Sequence, residues 1–385
     1  MKEEQDSKSV IGPVLFSRIL ILIIAFAGVI VVSHSIDVPK VSLETSIPVL
    51  DRFANWDTIY YFGIAINGTA DYAWTFRPLY PAILGVLRLP LTDLLGANSA
   101  SLIVGMAWNT FALVLAAIYL YKLTELLYDK KSAYLTVLLL SISPAAVFFT
   151  APYPEATYLL LFVASFYYLE KKQFLVAAFL GFLAGLTRPE AFLICILFLL
   201  KALFSRGRER LQTFLGSVAV SLSLPFFMLF SYLVTGDAFI SFSQEVAWLK
   251  TTLMDVLVKF YHNEFIYGWE VCIMSTAVLA FVVWAMVTHF FSIQVKAKRL
   301  VVHLKQSFKD RQTPYFLYAV FLLVFFVVYG EFKSFPRYTL TLFPILWANS
   351  LWANGNLTRT YLLFSFFASL MALGTLLFTN WYPFI

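Results

Sequence analysis

Residues 191–233 read AFLICILFLLKALFSRGRERLQTFLGSVAVSLSLPFFMLFSYL, two apolar runs joined by a loop that is dense in arginine. A helix needs about 20 mostly apolar residues to cross the hydrocarbon core of a bilayer, and short loops rich in Lys and Arg stay in the cytoplasm. The pattern therefore predicts a helical hairpin in a membrane, with the loop Lys201–Arg210 on the cytoplasmic side.

The rest of the chain follows the same pattern. Of its 385 residues, 61% are apolar and 13% are charged, and apolar segments of spanning length recur along most of it. We predict an all-α, polytopic membrane protein in which residues 1–385 form a single transmembrane domain. Basic cytoplasmic loops account for the net charge of +6, so membrane lipids are expected partners and nucleic acid is not.

The basic loops set the topology. Clustered Lys or Arg residues occur in four loops: Lys130-Lys131, Lys171-Lys172, Lys201–Arg210 and Lys296–Arg311. With these loops in the cytoplasm, the apolar runs give about eleven spans and a cytoplasmic N-terminus. The scheme leaves two long extracytoplasmic loops, residues 34–98 and 235–270.

One apolar segment, Pro78–Leu95, does not fit this alternation. A span there would move every later basic loop to the outer side. We therefore predict that it forms a re-entrant or shallow helix pair in the first extracytoplasmic loop, where Trp56–Ile66 also has the spacing of an interfacial helix.

Four polar motifs interrupt the apolar runs, and the topology puts all of them on the outer side. They are Arg52–Asp57, Ala151–Glu155, Thr187–Glu190 and Ser334–Tyr338. Charge near hydrocarbon is unfavourable by several kcal/mol, so ionisable residues at such places are functional candidates. The pattern predicts one active site facing away from the cytoplasm.

Asp57 lies among aromatic residues early in the first outer loop. A carboxylate positioned there can act as a general base. An equally simple interpretation is that Asp57 caps an interfacial helix, since Asp is a favoured N-cap residue. Glu155 has a similar alternative, because a carboxylate in the first turn of a helix is stabilised by the helix dipole; in a site it would orient a sugar hydroxyl.

Among the basic side chains predicted on the outer side, against the usual charge bias, four are candidate ligands: Arg77, Arg188, Lys333 and Arg337. Guanidinium groups bind phosphate oxygens in a bidentate manner, so we interpret these residues as phosphate ligands. The alternatives are internal pairing, of Arg188 with Glu190 or Lys333 with Glu331, and interfacial anchoring by Arg77. No cluster of metal-ligating residues is visible in the sequence, and metal-independent chemistry without a cofactor is expected.

The motifs, in their order, resemble the GPI mannosyltransferase II (PIG-V) family of the membrane-embedded GT-C glycosyltransferases. The resemblance covers roughly Asp51 to Pro344. It rests on five segments: Arg52…Trp56-Asp57, Phe76–Pro81, Ser143-Pro144…Ala151–Glu155, Leu186–Glu190 and Pro336–Tyr338…Phe343-Pro344. Glu190 departs from the residue usual at its position in this class, so a role for Glu190 does not follow from the resemblance.

The resemblance implies a GT-C-type helix bundle that transfers a hexose, with mannose favoured. The donor would be a polyprenyl- or dolichyl-phosphate sugar, and the acceptor a lipid-linked or other extracytoplasmic glycan. The first-loop aspartate, Asp57 here, would be the general base of an inverting reaction. Six residues are expected to orient the substrates, with Glu190 included for its place in a polar motif and not for the resemblance: Arg52, Trp56, Tyr153, Glu155, Glu190 and Tyr338.

Two other functions fit some of these features. A flippase or transporter of lipid-linked glycans would line a pathway with intramembrane charges, although no matching halves are found in the sequence. An enzyme like an O-antigen ligase or polymerase would use the same side and similar arginines. We expect a prokaryotic or archaeal family member in the cell membrane.

Overall fold

The computed structural model describes residues 6–32, 45, 47, 50–68, 73–248, 275–285, 311–329 and 334–382. Within these residues, every regular element is an α-helix or a short 3-10 turn. Four helical segments of the described residues are long and apolar enough to cross a membrane: Asp6–Val31, Ala97–Leu127, Gly207–Thr235 and Leu357–Thr379. The segment Gly207–Thr235 is numbered below as two consecutive helices, α10 and α11. The predicted all-α, multi-span membrane protein is thereby confirmed.

Seventeen helices are numbered here in chain order over the described residues. They are α1 Ile11–Val31, α2 Thr58–Asn67, α3 Leu79–Leu87, α4 Leu89–Leu95, α5 Ala97–Leu127, α6 Lys130–Ser141, α7 Glu155–Glu170, α8 Phe174–Gly185, α9 Ile194–Phe204, α10 Gly207–Ser221, α11 Ser223–Thr235, α12 Ile240–Trp248, α13 Ser275–Ala285, α14 Thr313–Tyr329, α15 Phe335–Thr339, α16 Phe343–Ala353 and α17 Leu357–Thr379.

Several helices are shorter than the apolar runs from which spans were predicted. The run Ala133–Thr150 is helical only to Ser141 and then continues as a turn that contains Pro144. The run Tyr338–Trp352 is broken between α15 and α16, with Pro344 in the first turn of α16. Proline disfavours the helical conformation of the preceding residue, so both breaks occur where apolar runs contain it.

The segment Pro78–Leu95 forms two short helices, α3 and α4, that meet at Arg88. Helix α3 packs against α2, the helix that follows Asp57. Gly85 permits this close packing, because a Cβ there would lie 3.1 Å from the carbonyl oxygen of Ala65. The depth of these helices in a membrane stays a prediction, as do the two outer loops, of which residues 33–44, 69–72 and 249–270 lie outside the described residues.

Helix α7 is the centre of the bundle and packs extensively against α5 on one side and α8 on the other. Most of its residues are buried, among them Phe162 and Phe166, whose rings contact Tyr318 of α14 and Phe343 of α16. The turn that leads into α7 rests on α5 at Gly105, which contacts Pro152.

Gly105→Ala is expected to destabilise the protein by about 1–3 kcal/mol, the usual effect of overfilling a packed contact. A Cβ at this position would lie 2.7 Å from the Cβ of Pro152 and would displace the turn that precedes Glu155. The thermal unfolding midpoint in detergent measures the effect. Gly12→Ala is the matched control, because its new methyl group meets nothing within 4 Å; equal midpoints for the two variants would contradict the prediction.

Candidate active site

Both ends of α7 carry a glutamate that binds basic side chains. At the N-terminal end, Glu155 is paired with Arg188 and Arg337. At the C-terminal end, Glu170 is paired with Lys201 and Arg311. The two clusters are separated by the length of α7, about 22 Å at 1.5 Å per residue. The lysine- and arginine-rich loops and the polar motifs therefore lie at opposite ends of one helix.

The N-terminal cluster is a continuous chain of five charged side chains. Oδ2 of Asp57 lies 2.6 Å from Nη1 of Arg337, whose Nε donates to Oε1 of Glu155. Nη1 of Arg188 donates to the same Oε1 atom, and its Nε donates to Glu190. Two guanidinium groups thus lie between three carboxylates, which leaves one net negative charge.

Burial keeps these charges close to one another and away from solvent. The side chain of Glu155 is fully buried, and those of Arg188 and Arg337 are 5% and 8% exposed. Each guanidinium contacts two carboxylates, those of Glu155 and Glu190 for Arg188 and those of Glu155 and Asp57 for Arg337. The guanidinium of Arg337 also lies 4.8 Å from the ring centre of Tyr153.

Asp57 precedes α2, but its side chain makes no capping hydrogen bond to that helix. The carboxylate is paired with Arg337 instead, so helix capping does not account for Asp57. The preceding residue, Trp56, has φ +58°, a left-handed conformation that a bulky aromatic residue seldom adopts. Strained backbone of this kind is concentrated at functional sites.

A cavity of about 330 Å³ opens beside this ionic chain. Its polar wall contains Asp57, Arg188, Glu190 and Arg337, and its apolar wall is mostly aromatic. The phenylalanine and leucine residues of the apolar wall are Phe76, Phe192, Leu224, Phe242, Phe325 and Phe326. The cavity therefore suits an amphiphilic ligand that has a charged or hydroxylated end and an apolar end.

The structure brings most of the predicted site residues to this cavity. The lining includes Asp57, Arg77, Arg188, Glu190, Arg337 and Tyr338. Arg52, Trp56, Tyr153 and Glu155 are not among the lining residues: Arg52 is half-buried next to Asp51, and Tyr153 and Glu155 are fully buried. Lys333 lies outside the described residues.

The arginines expected to bind phosphate are engaged by protein groups in this structure. Arg188 and Arg337 use Nε and Nη1 for the carboxylates, so the alternative of Arg188 pairing with Glu190 is realised, with Glu155 as a second partner. Arg77 donates to the hydroxyl of Ser241 at 3.0 Å and lies over the ring of Phe227 at 4.2 Å. It thereby connects the first outer loop to α11 and α12.

Two residues that support the site were not singled out from the sequence. Arg18 of α1 is buried and donates to the carbonyl oxygens of Ser141 and Ala146 at 2.6 and 2.7 Å, which fixes the turn after α6. Asn109 of α5 donates to the carbonyl oxygens of Ala151 and Tyr153, just before α7. The sequence did mark Arg18, because an arginine within an apolar run is a functional or structural candidate. Nothing in the sequence around Asn109 marks that residue in the same way.

The described residues contain no group of three or more His, Cys, Asp and Glu side chains arranged to hold a metal ion. The three carboxylates of the ionic chain are bridged by guanidinium groups. The cavity offers a ligand two carboxylates, three arginines and a mostly aromatic apolar wall.

The sequence was compared with known proteins. The model of a family described as Mannosyltransferase (PIG-V) matches residues 43–345. The GPI mannosyltransferase 2 of Schizosaccharomyces pombe is 32% identical over 221 residues, which cover 51% of this chain and 44% of that protein. The GPI alpha-1,6-mannosyltransferase 2 of Rattus norvegicus is 28% identical over 255 residues, which cover 60% and 51%. The chain thus spans about half the length of these curated relatives.

Both relatives are eukaryotic, so they give no support to the expected prokaryotic cell membrane. Among solved structures, the crystal structure of the Archaeoglobus fulgidus oligosaccharyltransferase complex with Zn and sulfate aligns with a TM-score of 0.48 and 12% identity. That alignment covers 96% of this chain and 53% of the other.

Proposed function

Because the chain belongs to the PIG-V mannosyltransferase family, we propose that it transfers mannose from a dolichyl- or polyprenyl-phosphate donor to a hydroxyl group of a lipid-linked glycan. The family match confirms the resemblance drawn from the ordered motifs. The observation that carries the proposal is the carboxylate of Asp57 at a cavity with two buried arginines and an aromatic wall.

In the proposed reaction, Asp57 accepts the proton of the acceptor hydroxyl. The acceptor oxygen attacks the anomeric carbon of the donor sugar, and the bond from that carbon to the phosphate oxygen breaks. The lipid phosphate leaves with the bonding electron pair, and the anomeric configuration is inverted. A phosphate ester is a good leaving group, so a single positioned base is sufficient for this displacement.

Arg337 and Arg188 support the same proposal from the donor side. Each uses Nε and Nη1 for a carboxylate, and within the described part of the chain no hydrogen bond involves Nη2 of either residue. These remaining donors are available to phosphate oxygens. The apolar wall around Phe325 and Phe326 would hold the first part of a prenyl chain, since buried apolar surface is stabilised by about 25 cal/mol per Å².

The direct test is transfer by the purified protein in lipid. Labelled dolichyl-phosphate mannose and dolichyl-phosphate glucose would each be supplied with a mannosylated glycolipid, and the products identified by mass and linkage. We expect a mannosyl product of inverted configuration from the first donor only. A glucosyl product would overturn the sugar assignment, and movement of intact donor across the membrane without any product would favour the flippase interpretation.

The side of the membrane is proposed from the two ends of α7. Lys201 and Arg311, which pair with Glu170, belong to the basic loops assigned to the cytoplasm. Glu155 and the cavity lie at the other end of this helix, so we propose that the site faces the extracytoplasmic or lumenal side.

Single cysteines are expected to report this orientation in a cysteine-free background. Asn67 and Asp237, both exposed near the site end, should react with an impermeant reagent added to the outer side of sealed vesicles. Lys131 and Arg208, which are exposed in the first turns of α6 and α10, should react only after permeabilisation. The reverse pattern of labelling would place the site in the cytoplasm and contradict the proposed orientation.

A further inference from the structure

One hydroxyl group bridges the backbone of the turn that carries Asp57. The backbone N–H of Asp57 donates to Oη of Tyr153 at 3.1 Å, and the same hydroxyl donates to the carbonyl oxygen of Asn55 at 3.0 Å. The two hydrogen bonds involve the residues on either side of Trp56, which has φ +58°. Tyr153 therefore bridges the backbone on both sides of a left-handed residue.

The surroundings of Tyr153 keep its ring in one place. The side chain is fully buried, and its ring makes edge contacts with Phe148, Phe378 and Tyr61 at 4.9–5.9 Å between ring centres. Asn109 holds its carbonyl oxygen at 2.9 Å. These contacts restrain the Tyr153 ring and thus the position of its hydroxyl, which in turn supports the Asp57 turn.

The same ring also contacts the partner of Asp57. The guanidinium of Arg337 lies 4.8 Å from the ring centre of Tyr153 and 2.6 Å from Oδ2 of Asp57. Tyr153 thus touches the Asp57 turn through its hydroxyl and the Arg337 side chain through its face. Misplacement of a reacting group by about 1 Å lowers rates by about 10²-fold, so such a support has a kinetic consequence.

We propose that Tyr153 is a positioning residue, which holds the left-handed turn at Trp56 so that Asp57 meets the acceptor hydroxyl. This inference rests on the proposed function, in which Asp57 is the base. It replaces the expectation that Tyr153 orients substrate, because its hydroxyl is occupied by the backbone and its side chain does not line the cavity.

The test compares Tyr153→Phe with Tyr315→Phe. Each removes one buried hydroxyl that makes a hydrogen bond, but Tyr315 bonds to Glu170 at the far end of α7. Tyr153→Phe should lower kcat about 10- to 100-fold with little change in the apparent KM for the donor. Tyr315→Phe should lose similar thermal stability while kcat stays unchanged. Equal kcat for the two variants would overturn the proposal.

Two further measurements separate positioning from general loosening. Hydrogen exchange in a peptide covering residues 53–62 should be faster in Tyr153→Phe, because the Asp57 amide loses its acceptor. In an Asp57→Asn background, Tyr153→Phe should give no further loss of kcat, since the hydroxyl acts through that carboxylate. If the kcat losses of the two single variants multiply in the double variant, Tyr153 acts independently of Asp57 and the inference is contradicted.

The turn can also be tested without Tyr153. Trp56→Asn and Trp56→Val both remove the indole, but Asn accepts positive φ far more readily than a β-branched residue. We expect the Asn variant to retain at least about tenfold more activity than the Val variant. Equal activities would contradict a requirement for the left-handed turn. Full activity of Asp57→Asn would instead contradict the assigned base, and with it the proposed function.

Discussion

Asp57→Asn is expected to lower turnover on the order of 10²- to 10⁴-fold, the usual contribution of a positioned general base. The amide keeps the size of the carboxylate and can still accept a hydrogen bond from Arg337, but it cannot take a proton. Arg337 also keeps Glu155 as a partner. Donor binding and the thermal unfolding midpoint should therefore change much less than turnover, which single-turnover kinetics and a donor-binding titration would measure.

Glu155→Gln is the informative comparison for this variant. Glu155 is fully buried and does not line the cavity, yet it is the only described carboxylate that pairs with both Arg188 and Arg337. Its neutralisation should lower the unfolding midpoint more than Asp57→Asn does. An Asp57→Asn variant with nearly normal turnover, beside an inactive but stable Glu155→Gln variant, would move the base from Asp57 to Glu155.

Arg337→Ala is expected to weaken both the fold and the donor complex. Removal of one partner from a buried ion pair destabilises a protein by about 3–5 kcal/mol, because the remaining charge is left uncompensated. Loss of a charge-assisted contact to the donor phosphate should weaken donor binding by roughly 1.5–3 kcal/mol as well. Thermal unfolding and donor titration measure the two effects separately.

Arg337→Lys should recover only part of each loss. A lysine ammonium is a point charge and cannot reproduce the Nε contact to Glu155 together with the Nη1 contact to Asp57. Arg208→Ala, at an exposed position in the first turn of α10, is the control and should change neither quantity. An Arg337→Ala protein that binds donor normally but has an altered KM for the acceptor would assign Arg337 to the acceptor side.

The sequence alone supports the class of fold and the grouping of the polar motifs. Apolar runs and basic loops predict a helical membrane protein, and four motifs between residues 52 and 338 do meet at one place. The helix ends were less predictable, because Pro144 and Pro344 break runs that hydropathy treats as continuous. The depth of α3 and α4 in a membrane is not decided by hydropathy either.

Within the site, the pairing of Arg188 with Glu190 was open to prediction from a local pattern, whereas the long-range pairings were not. Arg337 is 280 positions from Asp57 and 182 from Glu155, and only the tertiary fold brings them together. The sequence suggested arginines that bind phosphate, with internal pairing as the alternative, and an orienting role for Tyr153. The structure shows paired arginines, because buried charges are stabilised when opposite charges compensate one another. It also shows Tyr153 buried away from the cavity.

The length of α7 bears on how reactants arrive. Its two charged ends are about 22 Å apart along the helix axis, whereas the hydrocarbon core of a typical bilayer is about 30 Å thick. With the Glu170 end at the cytoplasmic boundary, the Glu155 end stops several ångströms short of the opposite boundary, and any tilt of the helix increases the shortfall. With the proposed orientation and donor, the reaction centre would lie beneath the headgroup layer, and a lipid-borne sugar would reach it sideways from the bilayer rather than from bulk water.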